Sequence, residues 1–312
     1  MATIYDIAKK VGCAPSSVSK YLTHHGYVSE QLGAKIAAAI QEMDYHYNGL
    51  ARELSCSTNN RIGIMVPFLD HPYFQSLITT ISEAAASYGK ELVIMPTNYD
   101  PLRERFYLEK LVHRLVGSII VSSHSLPYQE INQYQKYGNV VFCEDIADKE
   151  VNAVQTNRFQ TLVSLFKQLR HDHLTHIGLL LVRPSNDSRT TKETLEAYKH
   201  VFGLLPAVNQ VVYDCRSYQD GQRGFKQLIA QFSHLDAILT ESDDTAAGAF
   251  QVADRRHTSI KIIGQGNKIL SKVLGFTSID QHINDLGQAA IKKALNPTNI
   301  PSTMINFEII WR

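Results

Sequence analysis

From Arg61 onward, short runs of β-branched and aliphatic residues alternate with helix-like stretches, and this alternation limits the fold more than any other feature. RIGIMVP precedes FQSLITTISEAAASYG, ELVIMP precedes RERFYLEKLVHRL, and GSIIVSS precedes a polar helical stretch over 128–137 and then NVVFCE. Beyond Asn152 the order continues with AVQTN, a helix over 160–169, THIGLLLV, a helix over 192–202 and QVVYD. A helix over 218–232, DAILTE, a helix over 245–255 and IKIIGQG follow. Each apolar run is nearly continuous, which suits strands buried on both faces, so the pattern implies a parallel sheet covered by helices on both sides. There are too many units for one compact sheet. Two are expected, with ligands bound near the carboxyl ends of their strands.

The N-terminal part has a different texture. Thr3 followed by Asp6 reads as a capping-box-like helix start, and Ile4, Ile7, Ala8 and Val11 form a stripe of helical period. Gly12 closes that helix, and only Cys13-Ala14 separates it from PSSVSKYL, where Pro15 suits a first helical position. Val18 and Leu22 give this second helix one narrow apolar edge, while Ser16 and Lys20 point the other way. A third helix starts at the N-cap Ser29, with Ile36, Ala37 and Ile40 on one side. Two short helices joined by a tight glycine turn make a helix-turn-helix. Taken alone, the polar face of the second helix reads equally as a solvated surface or as a surface laid against DNA. The run SCSTNN, closing 46–60, reads as a linker.

Composition narrows the function classes. The chain has 312 residues, 44% hydrophobic, enough for more than one core. Its formal charge of +1 announces no polyanionic partner, and residues 1–58 carry five cationic and five acidic side chains, so a DNA-binding head would bind non-specific DNA only modestly. His24, His25 and His46 read as solvated loop residues that add charge at lower pH. Cys13, Cys56, Cys143 and Cys215 lack metal-ligand or CxxC spacing and fit reduced thiols of a cytoplasmic protein. MATIYDIAKK has no signal-like apolar core, and no run of eighteen apolar residues occurs, so a soluble protein without a membrane partner is expected. No GxSxG, HExxH, Walker or complete GxGxxG sequence is present, and Asp243-Asp244 reads as a helix start rather than a catalytic pair. The expectation is therefore no enzyme, no catalytic residue, no metal and no cofactor.

TIYDIAKKVGCAPSSVSKYL, VSEQLGAKIAAAIQEMDY, NGLAREL, and IGIMVP followed by LDHPYF closely resemble the LacI/GalR family of bacterial transcriptional regulators. DAILTESDDTAAGAF, IKIIG and FTSIDQHINDLGQAA agree, so the resemblance covers essentially the whole chain. It implies an N-terminal all-α helix-turn-helix head over 1–45, a hinge helix or linker over 46–60, and an α/β core over 61–312. That core would hold two parallel-sheet subdomains resembling periplasmic sugar-binding proteins, about 61–156 plus 281–312 and about 157–280. It also implies a homodimer, formed through the first subdomain, on pseudo-palindromic operator DNA. By resemblance, Ser16 and Lys20 face bases with Pro15 beside them, and Ser17, Ser19 and Thr3 hold phosphates. Many relatives carry arginine where Lys20 stands, and lysine lacks the two-pronged fork that reads guanine, so sharper discrimination is expected of them. In the hinge, Leu54 matches a leucine wedged into the minor groove and Arg52 a phosphate contact, although Tyr47 replaces the usual proline.

For the effector, the resemblance implies that His71, Tyr73, Asn157, Asp243 and Gln281 line a cleft between the subdomains and bond a sugar or sugar-like molecule. Two departures stand out. Thr194 replaces an arginine that grips the ligand in the family, with Arg189 near but out of register, and Gly266 replaces an aspartate. The implied function is repression of carbohydrate-utilisation genes under control of this effector. The alternative is a cytoplasmic small-molecule sensor whose DNA head is weak or needs a corepressor.

Overall fold

The computed structural model describes residues 2–23, 26–46, 59–144, 146, 151–232, 234–296 and 304–312. It divides into two units, Met1–Thr58 and Asn59–Arg312. The hinge reading, with Arg52 and Leu54, lies outside the described residues, as do His24, His25, Tyr47 and Cys56.

In the first unit, helix α1 (Ile4–Val11) begins at Thr3, whose Oγ1 accepts from the Asp6 N–H at 3.3 Å while its own N–H donates to Asp6 Oδ2 at 2.9 Å. That reciprocal capping box satisfies two donors left open at any helix start. Gly12 ends α1 at φ +72°, a left-handed conformation that costs a glycine little. Helix α2 (Pro15–Thr23) follows, then α3 (Glu30–Glu42) behind the N-cap Ser29. Ile7, Ala8, Val18, Ile36 and Ala39 form the core of this unit. Ala39, not Ala37, is the buried alanine of α3, because the buried side follows the i, i+3 row of Gly33, Ile36 and Ala39.

The second unit contains two parallel sheets. The first has strand order β2-β1-β3-β4, from β1 (Arg61–Val66), β2 (Glu91–Pro96), β3 (Ser118–Val121) and β4 (Asn139–Phe142). Its connections include α4 (Pro72–Ser87), α5 (Pro101–Val112) and α6 (Tyr128–Asn132). The second sheet is built on β6 (Ile177–Leu180), β7 (Val211–Val212), β8 (Ala237–Thr240), β9 (Lys261–Gln265) and β10 (Thr277–Asp280). Helices α7 (Arg158–His171), α8 (Arg189–Phe202), α9 (Tyr218–Gln231), α10 (Asp243–Arg255) and α11 (Ile269–Leu274) connect them.

The chain then returns to the first sheet. Helix α12 (Ile283–Leu295) packs on α4, β3 and β4. Gly287 allows this, since a Cβ there would stand 2.6 Å from Thr80 Cγ2. Buried Asn139 donates to the carbonyls of Lys293 (2.5 Å) and Ala294 (3.0 Å), closing the end of α12. Two short strands, β5 (Gln155–Thr156) and β11 (Met304–Ile305), pair in parallel where the chain passes between the sheets. The last strand, β12 (Glu308–Ile310), pairs antiparallel with β10 and extends the second sheet to order β12-β10-β9-β8-β6-β7. This corrects the placement of 281–312 wholly in the first subdomain: α12 is there, but NFEIIWR completes the other sheet, because β10 otherwise leaves an unpaired edge. No helix among the described residues is long and apolar enough to cross a membrane.

Candidate functional site

A cavity of about 130 Å³ lies between the two sheets of the second unit. A water needs only about 10–15 Å³, so the space takes several waters or one small polar molecule. Its walls follow from topology. Phe68 lies just past β1, Tyr99 past β2, Ser122 and Ser123 past β3, and Cys143 and Glu144 past β4. From the second sheet come Val182 and Arg183 past β6, Glu241 past β8, Gln265 at the end of β9 and Gln281 past β10. Parallel strands all end on the same side of their sheet, so two such sheets facing end to end enclose a cleft made of loop residues.

One wall is aromatic. Phe68 and Tyr99 meet edge to face at 5.4 Å between ring centroids, and Tyr73 meets Phe74 in the same way at 5.2 Å. Tyr99 is held at φ +56°, directly after Asn98 at φ +53°, and its hydroxyl lies 3.2 Å from Ser123 Oγ. A left-handed tyrosine is uncommon and costs free energy, a strain of the kind that collects at functional sites. The Arg183 guanidinium stacks over the Tyr99 ring at 3.3 Å. Burial raises the Tyr99 hydroxyl pKa, partly opposed by Arg183.

The other wall is charged. Arg158, only 8% exposed, donates from Nη1 to Gln265 Oε1 (2.8 Å) and from Nη2 to Thr194 Oγ1 (3.3 Å). Its Nε lies 3.7 Å from Glu193 Oε2 and has no hydrogen-bond partner. Arg189 Nε donates to Glu193 Oε1 at 3.0 Å. Glu241 accepts from the Val182 N–H at 2.6 Å and from the Thr190 hydroxyl at 3.3 Å, and burial raises its carboxyl pKa. Behind Glu144 sits His124, with Nε2 2.9 Å from Glu144 Oε1 and Nδ1 2.5 Å from the Leu126 carbonyl. With an acceptor at each ring nitrogen, His124 is arranged as an imidazolium. Burial alone would lower its pKa, but the carboxylate and carbonyl outweigh it and the net shift is upward.

Four of the six residues assigned to the effector stand around this cavity: His71, Tyr73, Arg189 and Gln281. Asn157 and Asp243 do not. Asn157 Oδ1 accepts from the Phe307 N–H at 2.5 Å, tying together two of the chain passages between the sheets. Asp243, fully buried, accepts from Ser278 Oγ and from the Lys268 N–H, each at 2.6 Å. Both polar side chains are consumed by the fold, which removes them from the wall. Lys268, positioned by Asp243, reaches across to α4 and donates to the Pro72 carbonyl (2.6 Å) and Ser76 Oγ (3.0 Å).

The two family departures also have physical accounts. Thr194 is buried against Arg158, so the guanidinium at this position comes from the first residue of α7. Gly266 adopts φ +121°, a conformation L side chains rarely reach, so the aspartate of relatives would be strained here. Residue-by-residue matching missed Arg158, Arg183, Glu144, Glu193, Glu241 and Tyr99. The usable signal was position: all but Glu193 lie within three residues past a strand end.

His71 caps α4, its Nδ1 accepting from the Tyr73 N–H at 3.3 Å. Burial, and then the Lys268 charge, lower its pKa from 6.5 to about 4. Between those values the unfolded chain binds more protons, so this group's stabilising contribution is full above pH 6.5 and is lost as pH falls toward 4. Acidification from pH 7 to 5 is expected to remove up to about 2 kcal/mol through His71. A His71→Asn variant, which keeps the cap without a titrating ring, should lose that component of the pH dependence in urea melts. Equal pH profiles for the two proteins would refute it.

In the first unit, Thr3, Ser16, Ser19 and Lys20 are exposed, while Pro15 and Ser17 are half-buried. The only fully buried residue of α2 is Val18. The stem of Lys20 runs over Gly26, where a Cβ would stand 3.2 Å from Lys20 Cδ. Tyr5, 69% exposed on α1, adds an aromatic that the sequence reading did not single out.

A helix-turn-helix unit on the same chain as a two-sheet unit with a polar cleft defines the class of ligand-responsive DNA-binding proteins. Comparison with known proteins gives the family. Residues 3–48 match the model for bacterial regulatory proteins of the lacI family, and residues 59–296 match that for periplasmic binding proteins and the sugar binding domain of the LacI family. Catabolite control protein B of Bacillus subtilis is 32% identical over 290 residues, covering 93% of each chain. The ribose operon repressor of Halalkalibacterium halodurans is 26% identical, over 94% of this chain and 89% of its own. The fold matches the Lac repressor dimer bound to operator and the anti-inducer ONPF with a TM-score of 0.82 at 18% identity, over 100% of this chain and 98% of that one. It matches the CelR–cellobiose complex with a TM-score of 0.67 at 15% identity, over 100% and 99%. The chain belongs to the LacI family and is a DNA-binding transcriptional regulator.

Proposed function

We propose that this regulator is a cytoplasmic, homodimeric repressor of carbohydrate-utilisation genes, without catalytic activity, whose hold on operator DNA is set by a small sugar-like molecule bound between the two sheets. The observation that carries the reading is the cleft at the strand ends, where an aromatic wall faces hydroxyl, amide and charged groups. That combination suits a polyhydroxylated ligand with apolar ring faces. Relatives named as sucrose and ribose operon repressors support the substrate class. A second copy is supported by Leu102 and Phe106 on α5 and Ile94 on the edge strand β2, all exposed on the first sheet's subdomain. A ligand moves such a system only by its differential affinity for two arrangements of the subdomains. A neutral head supports a second reading, in which a corepressor supplies part of the DNA affinity.

On DNA, Ser16 and Lys20 are the proposed base readers, with Pro15 making an apolar contact and Thr3, Ser17 and Ser19 holding phosphates. Arg52 and Leu54 are proposed for the hinge contact. Lys20→Ala is expected to lose about 1–3 kcal/mol of discrimination between operator and a base-substituted site. Fluorescence anisotropy on both DNAs tests this. Equal weakening on both would reassign Lys20 to a phosphate. The reading as a whole is tested by titrating sugars into the complex with DNA from upstream of its own gene. Site-selective binding altered by a sugar supports it, and indifference to every sugar removes the effector half.

A further inference from the structure

Resting on the effector reading above, we infer that the ligand of this cleft is an anionic sugar derivative, a polyhydroxylated ring bearing a carboxylate or phosphate, rather than a neutral sugar. The argument is one of pairing. Each carboxylate around the cavity already has a partner: Glu193 has Arg189 at 3.0 Å and Arg158 at 3.7 Å, and Glu144 has His124 at 2.9 Å. Glu241 takes the Val182 N–H and the Thr190 hydroxyl, and Glu104, buried behind His124, takes the Ser125 and Leu126 N–H groups at 2.8 Å each.

Two guanidinium groups, Arg158 and Arg183, keep N–H donors without an acceptor among the described residues. Arg183 has no carboxylate within 4.0 Å, and none of its guanidinium N–H groups bonds another side chain or carbonyl among the described residues. Its face lies on Tyr99 at 3.3 Å, which fixes the plane and leaves the edge donors open. Arg158 is 8% exposed, and its Nε is a buried donor without an acceptor. A guanidinium edge is suited to two oxygens of a carboxylate or phosphate, and a buried donor left unpaired is costly.

The test uses the full chain and three probes of one ring size: glucose, glucuronate and glucose 6-phosphate. Affinity is read by calorimetric titration and operator binding by anisotropy. At least one of the acids is expected to bind tenfold or more tightly than glucose, and which one distinguishes a carboxylate from a phosphate ligand. Arg183→Met, which keeps an apolar group against Tyr99, should lower the affinity of the preferred acid at least tenfold more than that of glucose, and an equal loss for all three probes overturns the inference. Glucose binding as tightly as both acids overturns the inference and leaves the effector reading standing. Binding of none of the three, with operator DNA still bound, overturns both.

Discussion

Replacing Gly248 by alanine is expected to destabilise the second unit by about 3 kcal/mol or more, beyond the usual range for one extra methyl in a packed core. Helices α9 and α10 cross glycine against backbone. A Cβ at Gly248 would lie 1.9 Å from the Tyr218 carbonyl oxygen, and one at Gly221 would lie 2.0 Å from the Thr245 carbonyl oxygen. Neither obstacle is a side chain that can swing away, so the helices must separate along their contact. That loosens the layer containing Phe225, Leu228 and Val252 over the second sheet. Urea melts of Gly248→Ala, Gly221→Ala and the double variant measure this. Once one methyl has forced the helices apart, the second should cost less than it does alone. Gly203→Ala serves as a control, since its φ of +82° carries strain but the space around it is open, and about 1 kcal/mol is expected. A Gly248→Ala midpoint close to that of the control would mean the helices do not meet there.

Asp243→Ala has the second large effect, about 3 kcal/mol in the same assay. The truncation strands the buried Ser278 hydroxyl and the part-buried Lys268 N–H, and an unpaired buried group costs about 1–3 kcal/mol. Relief from burying the carboxylate, whose pKa burial raises, offsets part of this. Asp243→Asn should cost less, because its amide oxygen still satisfies one of the two donors. If alanine proves no worse than asparagine, the paired acceptance from Ser278 and Lys268 is not what holds this residue. The loss would also free the turn that carries Lys268 to the Pro72 carbonyl, so a change in ligand affinity should accompany the change in stability.

The alternation of apolar runs and helices made the two sheets legible, because strands covered on both faces have no polar positions to blur them. Short elements were legible only in part. AVQTN and QVVYD contain the two-residue strands β5 and β7, but β11, the partner of β5, has only two residues, and β12 returns to an edge that no local pattern announces. α8 starts at Arg189, three residues before the helix read from its apolar spacing, because Ser188 caps a polar first turn; that turn carries Arg189 to the cavity. In the site, His71, Tyr73 and Gln281, matched by position, and Arg189, out of register, stand at the cavity, whereas the fold uses Asn157 and Asp243 as ties. Arg158 was passed over although it adjoins Asn157, since nothing local tells which of two neighbouring polar side chains turns inward.

The strand-end origin of the cavity also bears on how such a regulator diverges after gene duplication. Tyr99, Glu144, Arg183 and Glu241 each leave the chain beyond the last paired residue of a strand, outside the apolar layers that hold the sheets. Substitutions there change the chemistry of the chamber without opening a void in either core, so they are selected almost independently of folding. The ties, Asn157 and Asp243, have no such freedom. A lineage of duplicated copies would therefore keep its ties and scaffold while the signal each copy answers drifts from one metabolite to another.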